Sequence, residues 1–83
     1  MKVTVKLFAT LADYLPPGTK GNQVDMDFPE GTTVGQIIET MRLPPKLTHL
    51  VLVNGAYIAP EDRAGKTLAA QDQLAIWPPI AGG

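Results

Sequence analysis

Three stretches of this chain alternate apolar and polar residues, and one stretch before the last of them repeats with the period of a helix. From Lys2 to Phe8, Val3, Val5 and Leu7 fall on one face, while Lys2, Thr4, Lys6 and Phe8 fall on the other. Val24, Met26 and Phe28 oppose Asp25 and Asp27 in the second stretch, and Leu74 and Ile76 oppose Ala75 and Trp77 in the last. Alternation of this kind places one face of a strand on a core and leaves the other in water. Val34, Ile37, Ile38 and Met41 recur instead at i, i+3, i+4 and i+7, the buried stripe of a helix. A sheet and a single helix must therefore share one core.

The breaks between these stretches set the order of elements. Thr10 to Leu15 reads as a helical turn ended by Pro16-Pro17-Gly18, and Pro29-Glu30-Gly31 ends the second strand. Thr33 is placed to cap the helix, with Gln36 close to completing a capping box, and Pro44-Pro45 stops the helix near Arg42. Leu50 to Val53 is a continuous apolar run, read as a buried strand with Leu50 and Leu52 in the core. Asn54-Gly55 then turns the chain into a short return strand at Ala56-Tyr57-Ile58. Ala59 to Lys66 reads as polar loop, Leu68 as its anchor, and Gln71-Asp72 as the turn into the final strand, Gln73 to Trp77. Pro78 and Pro79 fit only an edge or a strand end, because neither can donate to a ladder. The order strand, strand, helix, strand, short strand, strand predicts an α+β fold of the ubiquitin-like β-grasp type. Its mixed sheet has four to five strands, with one main helix on one face. The domain spans residues 1–80, followed by a flexible Gly-Gly tail over residues 81–83. The predicted core is Val3, Val5, Leu7, Val24, Met26, Phe28, Val34, Ile37, Ile38, Met41, Leu50, Leu52, Leu68, Leu74 and Ile76.

Composition narrows the chemistry. With 83 residues there is room for one domain, and 7 basic against 8 acidic side chains leave a net charge of −1. That balance gives no electrostatic reason to expect nucleic acid or an anionic membrane as partner. No apolar run approaches the length of a membrane span, and the alternating N-terminus is unlike a signal peptide, so a cytoplasmic protein is expected. The absence of cysteine excludes disulfides, thiol nucleophiles and thiolate metal sites.

The chemistry-bearing feature is the end. Ala81-Gly82-Gly83 follows the stiff run Trp77-Pro78-Pro79-Ile80, and two glycines let the backbone thread a narrow channel. The Gly83 α-carboxylate is a group that ATP can activate as an acyl-adenylate. Period-two alternation also puts Phe8 and Trp77 together on the face opposite the core, with Tyr57 expected to join them. Aromatics clustered on an otherwise polar face beside the tail suggest a protein-docking patch. Other candidates are weaker. Gly65-Lys66-Thr67 has the close of a phosphate-binding loop, but Pro60 stands where the first glycine is required. His49, the sole histidine, reads as structural, and Asp25 and Asp27 as solvated strand residues.

Leu74-Ala75-Ile76-Trp77-Pro78-Pro79-Ile80-Ala81-Gly82-Gly83 resembles the tail of the MoaD/ThiS sulfur-carrier family, and most of all that of MoaD-type members. Lys6-Leu7-Phe8-Ala9 with Leu11 and Leu15, and Thr33-Val34, resemble the start and the helix opening of such proteins. Leu43-Pro44-Pro45-Lys46-Leu47 departs from their longer helical connection, and Gln71-Asp72 stands where Gly-Asp is usual. The resemblance implies that an E1-like adenylyltransferase joins the Gly83 carboxylate to AMP, using ATP. A persulfide donor then replaces AMP with sulfur to leave a thiocarboxylate. It further implies an acceptor enzyme, such as the large subunit of molybdopterin synthase, into which the tail inserts. Tungstopterin, thiamin thiazole, a tRNA base and an amino acid are the other destinations for the sulfur, and a ubiquitin-like binding module that is never activated is the alternative of a different class. On this reading the carrier binds no cofactor or metal, is not a catalyst alone, and docks through Phe8, Tyr57, Trp77, Pro78, Pro79 and Ile80. The reactive end is Gly83, carried on Ala81 and Gly82.

Overall fold

The computed structural model describes residues 1–79; the readings that concern Ile80, Ala81, Gly82 and Gly83 lie outside the described residues. Strands β1 (Lys2–Leu7), β2 (Gln23–Asp27), β3 (Leu50–Val53), β4 (Ala56–Tyr57) and β5 (Gln73–Trp77) form one sheet in the order β2-β1-β5-β3-β4. β1 and β5 run parallel at its centre, and the other neighbours pair antiparallel. Helix α1 (Val34–Thr40) lies on one sheet face, as the helical stripe predicts. The two central strands bury Val3, Val5, Leu7, Leu74 and Ile76 completely. Val24 and Met26 on β2 are only half-buried, because an edge strand has a neighbour on one side only.

A seven-residue helix is too short to stand alone, so its ends are tied down by neighbours. Thr33 Oγ1 accepts the Gln36 N–H at 3.2 Å, and Gln36 Oε1 accepts the Thr33 N–H at 2.9 Å, completing the capping box. The next two amides, Val34 and Gly35, donate to the carbonyls of Lys66 and Arg63, each at 2.9 Å. That contact needs a glycine: a Cβ on Gly35 would sit 3.2 Å from Ala64 Cα. At the other end Arg42 takes a left-handed conformation (φ 57°) and the Leu43 N–H returns to the Ile38 carbonyl at 3.0 Å.

Two readings from the sequence are corrected. Leu50 and Leu52 do not enter the core; Val51 and Val53 do, at 0% and 5% exposure. A continuous apolar run carries no alternation to choose its inward face, and a one-residue slip flips every side chain. The choice is made by pairing: Val53 faces Leu74 and Val51 faces Ile76, both inward residues of β5. The Asn54-Gly55 turn, with φ of 51° and 84°, then holds that register in the hairpin. Second, the stretch from Ala59 to Lys66 is not simple polar loop. A short 3-10 helix spans Pro60–Asp62, and Arg63 after it is 8% exposed. The core also includes Leu11, Leu15 and Leu43, which lie in a 3-10 helix (Ala9–Tyr14) and two loops.

Candidate functional site

Residues paired across a sheet share a face, so the register defines the surface opposite the helix. Trp77 faces Leu50, and Ala75 faces both Leu52 and Lys6. Leu52 in turn faces Tyr57. Phe8 continues β1 by one residue, its N–H donating to the Ile76 carbonyl at 3.1 Å. The Phe8 and Trp77 rings stack with centroids 4.1 Å apart and planes 5° from parallel. The pair foreseen from alternation is thus in direct contact.

Tyr57 shares the face but lies on β4, beyond β3, with Leu52 between it and β5. It is 57% exposed. Leu50 and Leu52, misassigned to the core from sequence, bridge the stack to this tyrosine. The site is consequently larger than the aromatic residues alone: Phe8, Trp77, Leu50, Ala75, Leu52 and Tyr57 form a continuous apolar strip across four strands. The signal that could have found the two leucines was the inward assignment of Leu74 and Ile76, which leaves the pairing partners of Ala75 and Trp77 facing outward.

The other half of the face is polar. Lys6 Nζ donates to Gln73 Oε1 at 3.0 Å, and Thr4 Oγ1 donates to Asp25 Oδ1 at 2.7 Å. Asp25 and Asp27 are solvent-exposed on the edge strand, as read from sequence. The sheet face therefore divides into an apolar half on β5, β3 and β4, with Phe8, and a hydrophilic half on β1 and β2. His49 is exposed, and its N–H donates to the Trp77 carbonyl at 3.1 Å. Pro78 is half-buried and Pro79 exposed directly after the stack. Among the described residues no group of three or more His, Cys, Asp or Glu side chains is arranged to hold a metal ion. No helix among them is long and apolar enough to cross a membrane.

A mixed five-stranded sheet with one main helix on a single face, parallel at its central pair, defines a ubiquitin-like β-grasp protein. The chain belongs to the ThiS family, whose model matches residues 5–83 and so runs through the terminal Gly-Gly. Among solved structures, SAMP1 from Haloferax volcanii is 29% identical with a TM-score of 0.70, over 100% of both chains. A structure of the H. volcanii small archaeal modifier protein 1 gives 27% identity and a TM-score of 0.68, over 95% of this chain and 98% of that one. A Pyrococcus furiosus protein assigned as molybdopterin converting factor, subunit 1, is 22% identical with a TM-score of 0.66, over 95% of this chain and 98% of that one. No curated protein sequence matches significantly. The fold is thus that of the ubiquitin-like sulfur carriers and protein modifiers.

Proposed function

We propose that this protein is a cytoplasmic sulfur carrier whose Gly83 carboxylate is adenylated by an E1-like enzyme and then converted to a thiocarboxylate. The observation that carries the reading is the family match, which extends to Gly83 itself. The carboxylate oxygen attacks the α-phosphorus of ATP and pyrophosphate leaves, turning a poor electrophile into a good one. A donor persulfide then displaces AMP at the carbonyl carbon to give an acyl disulfide. A second thiol, supplied by the donor or the adenylating enzyme, cleaves that S–S bond, leaving the thiocarboxylate on Gly83 and a disulfide on the donor. Docking falls to the apolar strip, because Trp77 and Phe8 sit where the chain leaves the sheet, two prolines ahead of Ile80. The acceptor favoured here is a molybdopterin precursor held by a large synthase subunit, on the Trp77-Pro78-Pro79-Ile80-Ala81-Gly82-Gly83 run and the Pyrococcus neighbour.

A second reading has its own observation. The 29% identity to SAMP1 over the full length of both chains favours a role as a protein modifier. The same acyl-adenylate would then meet a lysine amine, with an amide in place of the thiocarboxylate. Both roles begin with activation at Gly83. Incubating the full chain with its adenylating enzyme, ATP and a persulfide donor, followed by intact mass, tests them together. The sulfur-carrier reading expects the mass gain of one sulfur replacing one oxygen. Removal of Gly83 should abolish it and leave the fold unchanged. Sulfur loading that survives this deletion would overturn the proposal.

A further inference from the structure

Arg63 is a buried cation whose guanidinium is spent entirely on backbone carbonyls: Nη1 donates to Thr48 at 2.7 Å, Nη2 to His49 at 3.2 Å and Nε to Ile58 at 3.3 Å. Taking a charge out of water is costly unless it is fully hydrogen-bonded, and a planar fork of donors satisfies that condition here. The carbonyls it gathers are not arbitrary. Thr48 and His49 form the entry to β3, and the His49 N–H donates to the Trp77 carbonyl at 3.1 Å. Pro78 and Pro79 have no N–H to offer, so neither can donate a further ladder bond to β3 after Trp77. Trp77 is thus held at two points, its ring by Phe8 and its carbonyl by His49. The torsion between those points sets the direction in which the chain leaves the sheet. Proline fixes φ at each of the next two residues, so few torsions remain between Trp77 and Pro79 to absorb a rotation at Trp77.

We propose that Arg63 is a positioning residue for the tail, acting through His49 to fix the Trp77 carbonyl and the exit direction of Pro78-Pro79. This rests on the reading of Gly83 as the activated end. None of the hydrogen bonds of Arg63 goes to a residue of the apolar strip. Its loss should leave encounter with the adenylating enzyme intact and reduce the fraction of docked complexes in which Gly83 reaches the nucleotide. The signature is a fall in kcat with KM preserved, since misplacement distant from the chemistry slows the step without weakening the dock.

The experiment compares wild type, Arg63→Lys, Arg63→Met and Ile37→Val as full chains with the adenylating enzyme and ATP, at a temperature where each is folded. Ile37→Val loosens the core from helix α1, outside the hydrogen bonds that link Arg63, His49 and Trp77, and reports what lost stability alone does. Hydrogen exchange at the His49 amide is followed in parallel, a readout that needs no enzyme. The expected result is faster exchange at His49 in both Arg63 variants and kcat lowered about tenfold with KM within about twofold, the Ile37 variant showing neither change. Arg63→Lys, which keeps the charge and folds most readily, carries the decision if Arg63→Met does not fold. Unchanged His49 exchange, or kcat equal to that of the Ile37 variant, would overturn the positioning role while leaving the carrier reading standing. A wild-type chain that is never adenylated would instead remove the carrier reading, and the positioning role with it.

Discussion

The side-chain amide of Asn54 joins two turns: its nitrogen donates to Asp72 Oδ1 at 2.9 Å, while its oxygen accepts the Gln73 N–H at 2.9 Å. The other carboxylate oxygen of Asp72 accepts the Ala69 N–H at 2.8 Å. The β3–β4 hairpin turn and the turn entering β5 are therefore locked by one polar bridge at the end of the sheet far from the Phe8–Trp77 stack.

That bridge makes part of the stability pH-dependent. The Ala69 N–H first, then the Asn54 amide, hold the Asp72 carboxyl below its ordinary value; partial burial opposes them, and Lys66 adds a smaller downward pull. A carboxyl lowered in the folded state binds fewer protons there than in the unfolded chain. Its stabilisation is thus complete above the ordinary carboxylate range and is lost as pH falls through the lowered value. Asp72→Asn should be less stable than wild type at neutral pH, and the gap should narrow below roughly pH 4. Thermal unfolding across that range checks this; a gap that stays constant or widens on acidification would contradict it.

Gln71, next to that aspartate, adopts φ of 69°. Left-handed backbone is unfavourable for a residue with a Cβ and costless for glycine. Gln71 therefore holds a conformation that favours glycine, at the expense of strain. Gln71→Gly should raise stability by about 0.5–1 kcal/mol, the relief of strain exceeding the greater freedom of the unfolded chain. Chemical denaturation is the direct measurement, and a destabilised variant would show that the side chain contributes more than the backbone loses.

The two faces of β3 give a sharper contrast. Val51 is fully buried against the helix side, whereas Leu52 lies half-buried on the outer face, although leucine is the larger residue. Val51→Ala should cost about 1–3 kcal/mol, because it opens a cavity. Leu52→Ala should cost clearly less. Equal losses, or the reverse order, would place the strand in the other register.

That strand also marks where sequence reading stops. Val3, Val5, Leu7, Leu74 and Ile76 were legible because each alternates with a polar or small neighbour, and the pairing of β1 with β5 followed from the fold they imply. The capping box of Thr33 and Gln36 and the Asn54-Gly55 turn were legible because each signal is local. Leu50 and Leu52 were not, since facing is set by partners more than twenty residues away on β5. Arg63 was hidden for a related reason: its three acceptors are backbone carbonyls of other segments, and a carbonyl leaves no trace in residue type. The Phe8–Trp77 half of the site was therefore foreseen and its leucine bridge was not.

The stack itself yields the last prediction. Trp77 is half-buried: one ring face rests on Phe8, and its outer-face neighbour on β3 is Leu50. Removing the indole leaves Val51, Leu74 and Ile76 in place beneath the sheet, so the fold should survive Trp77→Ala with a modest loss. Large aromatics at the centre of an apolar patch carry a disproportionate share of binding energy, and truncating one typically costs about 2 kcal/mol or more. Affinity for the adenylating enzyme should accordingly fall by about thirtyfold. Leu52→Asp probes the leucine bridge in the same way, by introducing a charge into the strip where the core is untouched. Asp27→Asn, on the hydrophilic half, should leave affinity unchanged. Calorimetric titration of the three variants decides the matter: a loss confined to Trp77 and Leu52 supports docking through the apolar strip. Undiminished binding by both would make the strip ordinary surface and move the dock to another face.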